Sequence, residues 1–416
     1  MSTAQKFNIT VVGGGIAGLI AAIALRAHDR HITILERSRM LHETGALISL
    51  QPNASKIVSA LGLDKFLLSA EPMNDRCFRI VNTAGDIVRE IRLDPSTFGA
   101  DRVLYHRQDL HQGLRDAATS PELPGNPVHI LTSAAVTACD PEAGTVTLGN
   151  GETITADMII GADGIHSVVR EAVVGEAVTA IPTGISAYRM LIPAEALGGI
   201  DVPASAFTPS DPITTMVIGH DKRIIMGPGR GGKVFGIVAL VPDEKMYEKS
   251  STESWVEGGS KEKLLEAFAD FPRWVRDIFS RAPDIGLWQL RDLDPLPTWV
   301  KGRTVLIGDA AHPMLPTQGQ GASQSVEDGE ALQAFCANIR GKPSKAQVED
   351  VLRKVLNARH VRASLIQRYS REQAKPGTSK GSTEITLDPG QFMKYNCDYS
   401  GALDWLRRQE VSPATS

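Results

Sequence analysis

Thirty residues near the start of the chain, FNITVVGGGIAGLIAAIALRAHDRHITILE from Phe7 to Glu36, constrain the fold more than any other stretch. Phe7 to Val12 is apolar and β-branched, Ile16 to Ala27 is rich in Ala and Leu with no breaker, and His31 to Leu35 is β-branched again. The pattern predicts strand, tight turn, helix and strand, a βαβ unit whose first turn holds the glycines. By apolarity alone, Ile9 to Leu25 also compares with a signal-peptide core or a membrane span. Four glycines and a tight turn lie inside it, and no small-residue cleavage site stands out, so it is assigned to a buried strand and helix. No targeting segment is evident, and the expectation is a soluble, cytoplasmic protein.

Gly13-x-Gly15-x-x-Gly18 stands where the strand gives way to the helix, and Glu36 follows eighteen residues after Gly18, at the end of the next strand. Each part has a physical reason. Gly13 permits the tight turn, Gly15 lets backbone amides approach a pyrophosphate, and Gly18 allows close helix–strand packing. The helix N-terminus adds unpaired N–H groups and the positive end of its dipole. The Glu36 carboxylate can accept hydrogen bonds from ribose hydroxyls and would repel a 2′-phosphate. A dinucleotide site is expected.

GPGRGG, Gly227 to Gly232, carries the same spacing in the wrong context. RIIM before it and KVFGIVALV after it are both strand-like, so no helix dipole would be available. Pro228 has no N–H to offer a phosphate, and the next acids, Asp243 and Glu244, come too early. A glycine-rich β-hairpin is predicted. One Rossmann-type nucleotide site remains, and a nicotinamide cofactor would bind only transiently.

At 416 residues, two domains or one with large insertions are expected. A formal net charge of −4 without long like-charge runs argues against nucleic acid or an anionic membrane as the main partner. The four cysteines, Cys77, Cys139, Cys336 and Cys397, form no C-x-x-C. Zinc ligation, a dithiol redox centre and a disulfide framework therefore have no support. His312 reads as a packed loop residue, and no metal is expected.

Farther along, Phe78 to Leu93 predicts a hairpin around Ala84-Gly85-Asp86, and Thr145 to Ile160 a pair around Gly149-Asn150-Gly151. Tyr188 to Pro242 is strand-like, Lys261 to Arg281 helical, and Trp299 to Ile307 a short buried strand. From Ala322 to about Ser370 the chain is mostly helical. Arg371 to Glu384 reads as an exposed loop, and the amphipathic tail QFMKYNCDYSGALDWLRR is expected to pack down.

Two further segments complete the pattern: MIIGADGIHSVVR, Met158 to Arg170, and VLIGDAAHPMLPTQGQGASQSVEDGEAL, Val305 to Leu332. With the N-terminal glycines, in this order, they resemble the three signature segments of the group A flavoprotein monooxygenases, built like p-hydroxybenzoate hydroxylase. LQPNASKIVSALGL, HRQDLHQGL, SWVEGGSKEKLLEAF and LWQLRDLDPLPTWVKGRTVLIGDAAHPMLP are similar to the salicylate-hydroxylase-type branch. The resemblance covers roughly Asn8 to Arg340, and the tail is similar to that of fungal members.

The resemblance implies an α/β protein with an α+β insert: a discontinuous Rossmann-like FAD-binding domain (1–75, 98–177 and 285–345), an interleaved β-sheet substrate domain (76–97 and 178–284), and a C-terminal helical segment (346–416). FAD is the implied cofactor, with NAD(P)H as transient reductant. Gly13, Gly15 and Gly18 would approach the pyrophosphate, Glu36 the adenosine ribose, and Arg37 the adenine end. Arg107 would reach toward the flavin or pyrophosphate, and Asp309 would bond the ribityl hydroxyls. Asp163 belongs to a segment the family links to both FAD and NAD(P)H. Gly319 to Gly321, with Ala322, would face the pyrimidine edge of the flavin, where amides opening a helix suit the charge of the reduced ring. Either aspartate also has a plainer explanation, as the cap of a following helix.

The implied reaction is reduction of FAD by NAD(P)H, addition of O2 to give a C4a-hydroperoxide, and oxygen transfer to a phenolic or other electron-rich aromatic. Tyr188-Arg189 would form an aromatic–Arg pair near the flavin, with Pro316 in the adjoining loop, as the candidate catalytic groups. A guanidinium there would hold a phenolate or carboxylate, or polarise a carbonyl or an opening epoxide; the alternative is a surface or interdomain arginine. Gly227 stands where many relatives carry Tyr, and Thr317 where an aromatic is common, which leaves room for a substrate larger than salicylate. Competing readings are epoxidation or dearomatising oxidation of an indole or polyketide, a non-oxygenating FAD reductase, and a flavin-binding protein without activity. Oligomeric state is left open.

Overall fold

The computed structural model describes residues 6–40, 46–206, 208, 211–245, 256–257, 259–374 and 389–411. The apolar run Phe7–Val12 lies inside a six-stranded sheet, ordered Val300–Lys301, Thr304–Leu306, Met158–Gly161, Phe7–Val12, Arg30–Leu35, His129–Leu131. Every neighbouring pair is parallel except the outermost, Val300–Lys301. Successive side chains point to opposite faces. Phe7, Ile9, Val11, Met158, Ile160 and Val305 therefore pack on one side against the helices Ile16–Ala24, Arg107–Thr119 and Gly321–Cys336. Val12, Ile159 and Leu306 pack on the other, with the antiparallel strands Val136–Asp140, Thr145–Leu148 and Thr153–Thr155 and the helix Val168–Val174. Burial on both faces is why these strands read as unbroken apolar runs.

Two local expectations are revised. The first helix ends at Ala24 rather than Ala27, whose carbonyl turns to the N–H groups of Arg30 and Asn126. The single strand expected over Trp299 to Ile307 is a tight hairpin, Val300–Lys301 against Thr304–Leu306. Gly302, at φ +51°, supplies the left-handed turn.

The larger sheet has eight strands: Val256–Glu257, Gly286–Asp292, Ile181–Pro193, Val234–Pro242, Arg223–Gly229, Ile213–Ile218, Cys77–Asn82 and Ile87–Arg92. One face is covered by Lys261–Ala267 and Arg273–Ser280 through Leu264, Phe268, Trp274 and Ile278. GPGRGG is the predicted hairpin: Arg223–Gly229 runs antiparallel to Val234–Pro242. Its tip, Arg230, Gly231 and Gly232, turns with φ of +49°, +61° and +88°, which accounts for the final glycines.

A small sheet, Leu47–Leu50, Arg102–His106 and Met73–Asp75, packs on that hairpin. A Cβ at Gly229 or Gly236 would lie 2.5 or 2.3 Å from the Leu47 side chain, so both glycines serve close approach. The helix Lys345–Ala374 runs past the presumed start of the polar loop, because the Arg371 guanidinium bonds Asp292 and Asp294. Residues 375–384 of that expected loop lie outside the described residues. The tail packs down as expected, with Phe392, Cys397, Tyr399 and Ala402 buried. No described helix is long and apolar enough to cross a membrane.

Candidate active site

Three parallel strands end side by side, and each delivers one sequence signature: Gly13 after Val12, Ala162-Asp163 after Gly161, and Gly308-Asp309 after Leu306. Loops beyond the carboxyl ends of such strands are where open α/β sheets bind ligands. Gly13 has φ +104°, and a Cβ there would sit 2.3 Å from the Ala162 carbonyl. A Cβ on Gly18 would sit 2.0 Å from the Gly13 carbonyl. These two glycines hold the backbone together, and Gly18 does not line the cavity. Gly15 differs, since a Cβ there would meet nothing within 4 Å. It opens the helix Ile16–Ala24 without a capping side chain and faces a cavity of about 520 Å³.

Glu36, Arg37, Arg107, Asp163, Asp309 and Pro316 line the same cavity. Glu36 bonds the glycine turn itself, accepting from Gly14 N at 2.7 Å and Ser38 N at 2.7 Å. Asp163 accepts from Ser167 Oγ at 2.5 Å and from the Val168 and Val169 amides at 2.8 and 3.2 Å. It thus caps the helix Val168–Val174, the plainer alternative, while also lining the cavity. Burial raises its carboxyl above the ordinary range against those hydrogen bonds. Asp309 opens toward the cavity but is otherwise enclosed by protein. Burial raises its carboxyl, opposed by His312, Arg107 and Arg170.

A second cavity of about 450 Å³ adjoins the first, and Gly15, Arg107, Arg189, Asp309, Met314 and Pro316 line both. Gly319, Gly321, Ala322 and Thr317 border the second, with Leu47, Ile225, Gly227, Val238 and Leu240 as much of its apolar wall. Arg189 lies over the Trp288 ring at 4.8 Å, a cation–π contact. Its Nε has no hydrogen-bond partner among the described residues. Burial, then the nearby Arg107 guanidinium, brings its pKa down to about 10, so it remains a cation at neutral pH.

Tyr188 does not join it. The two are successive on the strand Ile181–Pro193 and must face opposite ways. Tyr188 is fully buried with Met190, Ile192 and Leu287 under the helices and lines neither cavity. Its assignment as a catalytic candidate is withdrawn.

Several groups that hold the site give no sequence signal, because their partners lie far along the chain. Arg170 donates to the carbonyls of Gly164, Ile165, Asp309 and Ala310 and straps two of the signature loops together. Asp328 accepts from Gly308 N at 2.9 Å, His312 Nε2 at 2.7 Å and Arg359 Nε at 2.9 Å. Burial would raise its carboxyl, but the charges of His312 and Arg359 hold it down at about 2. Glu327, buried beside it, is bonded by Arg359 and Arg362. At the first cavity, His166 has its pKa lowered by burial, then by Arg37, Arg291 and Arg170. Strand alternation would have found Trp288; the other partners needed the fold. Among the described residues, no cluster of His, Cys, Asp or Glu is arranged to hold a metal.

The open space at Gly15, the uncapped helix start and the cationic and acidic groups spaced along two adjoining cavities fit a long dinucleotide such as FAD. The comparisons agree. Residues 6–351 match the family described as FAD binding domain. Hispidin-3-hydroxylase of Neonothopanus nambi is 34% identical over 341 residues, 79% of this chain and 80% of that enzyme. 3-Hydroxybenzoate 6-hydroxylase 1 of Aquipseudomonas alcaligenes is 32% identical over 427 residues, 97% and 98% of the two chains. Among solved structures, a salicylate hydroxylase substrate complex superposes with a TM-score of 0.78 at 28% identity, covering 99% of this chain and 100% of that one.

Proposed function

The chain belongs to the FAD-dependent aromatic monooxygenases, and on that premise we propose that it uses NAD(P)H and O2 to hydroxylate a phenolic or other electron-rich aromatic. One observation carries the reading: the cofactor cavity shares its lining with a second cavity walled by Leu47, Ile225, Val238 and Leu240, and the Arg189 cation borders both. The cofactor, when bound, supplies electron transfer from NAD(P)H and activation of O2. In this reading 1–75, 98–177 and 285–345 hold the cofactor, and 178–284 closes the substrate chamber from the sheet side with Thr214, Ile225, Gly227, Val238 and Leu240.

The side chains orient and exclude. Gly13 and Gly15 present backbone to the pyrophosphate, with Glu36 and Arg37 toward the adenosine end. Arg107 and Asp309 sit at the junction, and the Gly319–Ala322 backbone offers amides to the flavin. Arg189 has no carboxylate among its described contacts, so its charge is available to a substrate phenolate, which it holds ionised and therefore electron-rich. Leu47, Ile225, Val238 and Leu240 keep water from the reacting carbon. The cations Arg37 and Arg291 at the first cavity suit a passing anionic reductant, with His166 held neutral beside them by burial and by those charges.

The test combines purified FAD-loaded protein, NADH or NADPH, air, and a panel containing 3-hydroxybenzoate, salicylate and hispidin. Substrate-stimulated NAD(P)H oxidation with a product heavier by one oxygen is expected. Reductant consumption that yields peroxide alone, whatever compound is added, would remove the hydroxylase reading. Products lacking the aromatic ring would favour the epoxidising or dearomatising alternative.

A further inference from the structure

A string of polar groups crosses the wall of the second cavity, from the Gly319 turn to the strand Ile213–Ile218. Its centre is Asp75, 1% exposed on the small sheet. Asp75 Oδ2 accepts from Arg102 Nη1 at 2.8 Å and from Thr214 Oγ1 at 2.6 Å. Its Oδ1 accepts from Thr214 N at 3.2 Å. A carboxylate held beside a guanidinium has no hydrogen to give. Thr214 therefore commits its one hydroxyl hydrogen to Asp75, and its lone pairs can only accept.

Thr214 is buried, 4% exposed, but borders the second cavity. A Cβ built on Gly227 would lie 3.5 Å from Thr214 Oγ1, so the missing side chain at 227 leaves room on the cavity side of the oxygen. Gly236 stands opposite Gly227 in the strand register, and all three residues line the second cavity. Nearer the Gly319 turn, Ser49 Oγ receives hydrogen bonds from Arg102 Nη2 and Gln51 Nε2, both at 3.3 Å. Its own hydrogen has no acceptor among the described residues, and Ser49 also lines the cavity. The wall thus has a fixed polarity, an acceptor at Thr214 and a donor at Ser49.

We propose that this wall is a hydroxyl-recognition subsite: Thr214 Oγ1 accepts a hydrogen bond from a free hydroxyl of the aromatic substrate, and Ser49 Oγ donates to an oxygen acceptor on the same molecule. The inference rests on the aromatic-hydroxylase reading and adds a substrate class, aromatics with a free hydroxyl beyond the position to be oxygenated, with ethers rejected. A methyl ether offers Thr214 no hydrogen, and the buried oxygen is left unpaired. Asp75 and Arg102 are positioning residues that set the direction of both hydroxyls.

The test uses the full-length, FAD-loaded protein and the change in flavin absorbance on ligand binding. Probes are matched pairs that keep one phenol for Arg189 and differ at a second hydroxyl: 3,4-dihydroxybenzoate with 4-hydroxy-3-methoxybenzoate, and hispidin with its monomethyl ethers. Wild type is expected to prefer at least one phenol over its ether by tenfold or more. Thr214→Val, close in shape but without the hydroxyl, should erase that preference, and Thr214→Ser should restore it. Ser49→Ala should weaken phenol and ether alike. Thr214→Val keeping the wild-type preference, while wild type still oxygenates the phenol, overturns the subsite and leaves the hydroxylase reading intact. Should Thr214→Val fail to fold, Thr214→Ala carries the same comparison against Thr214→Ser, and unchanged binding in Ser49→Ala overturns the donor half. Wild type that neither binds nor oxygenates any phenol of the panel overturns both readings.

Discussion

Replacing Asp328 by Asn tests how the loop bearing Asp309 is held. Asp328 Oδ2 takes the Gly308 amide and His312, and Oδ1 takes Arg359. All three neighbours donate, so an asparagine must turn its NH2 against at least one of them. It also leaves Arg359 with only the Glu327 carboxylate in a fully buried setting. Breaking a buried pair in this way costs about 3–5 kcal/mol, and the surviving Glu327 contact places Asp328→Asn near the lower end. A second route gives a similar figure. The Asp328 carboxyl sits at about 2 against an ordinary 3.8, and a depression of that size is worth about 2–3 kcal/mol when the group is ionised.

The sign follows from the depressed pKa: the contribution is present above the unfolded value near 4 and is lost as pH falls toward 2. Urea titrations of wild type and variant from pH 7 to pH 2.5 should therefore differ by about 3 kcal/mol near neutrality, with the gap shrinking below pH 4. Taking the difference cancels the other carboxylates. With the Gly308 turn loosened, FAD should also dissociate about tenfold more readily, a loss of about 1.4 kcal/mol. A gap below about 1 kcal/mol at pH 7, or one that does not change with pH, would refute this account of Asp328.

Arg189→Met should leave the melting temperature and FAD content unchanged or raised, because it removes a buried cation that no carboxylate pairs. Oxygenated product should fall by at least about a hundredfold, and turnover within tenfold of wild type would contradict its role. Gly18→Ala drives a Cβ to 2.0 Å from the Gly13 carbonyl, a strain of about 1–3 kcal/mol or more; purified protein should be colourless, and stoichiometric yellow protein would count against it. Arg230, at the hairpin tip, forms a two-pronged pair with Asp109 at 2.6 and 2.8 Å, half-exposed and so worth only about 0.5–1 kcal/mol. A double-mutant cycle with Asp109→Ala measures it, and zero coupling would show that the tip does not latch the two regions together.

What the sequence disclosed depended on the range over which each residue acts. The N-terminal glycines were legible because strand, turn, helix and acid all fall within thirty residues, and GPGRGG was separated from them by the same local context. Its tip glycines satisfy φ, while Gly229 and Gly236 answer to Leu47, a contact that no local pattern encodes. Tyr188 was misplaced because a motif was read as a pair where strand alternation splits neighbours. Arg170, Asp328, Arg359 and Arg362 gave no signal as isolated charges. Arg170 reaches Ala310 across 140 positions, and Arg359 reaches Asp328 across 31. Asp163 shows the opposite limit: its motif was legible, and its immediate contacts are those of a helix cap.

The order of strands in the six-stranded sheet also bears on how the chain is made. Ile9 cannot pair with Met158, nor Ile159 with Thr304, until those residues have left the ribosome. At about 5–20 residues per second, the first strand waits roughly ten to thirty seconds for its neighbour and as long again for the next. During that interval a strand apolar on both faces has only the Arg30–Leu35 edge to pair with. This is a high-contact-order assembly with an exposed hydrophobic start. Yield in a foreign host should consequently respond to chaperone supply and growth temperature before it responds to any residue of the catalytic chamber.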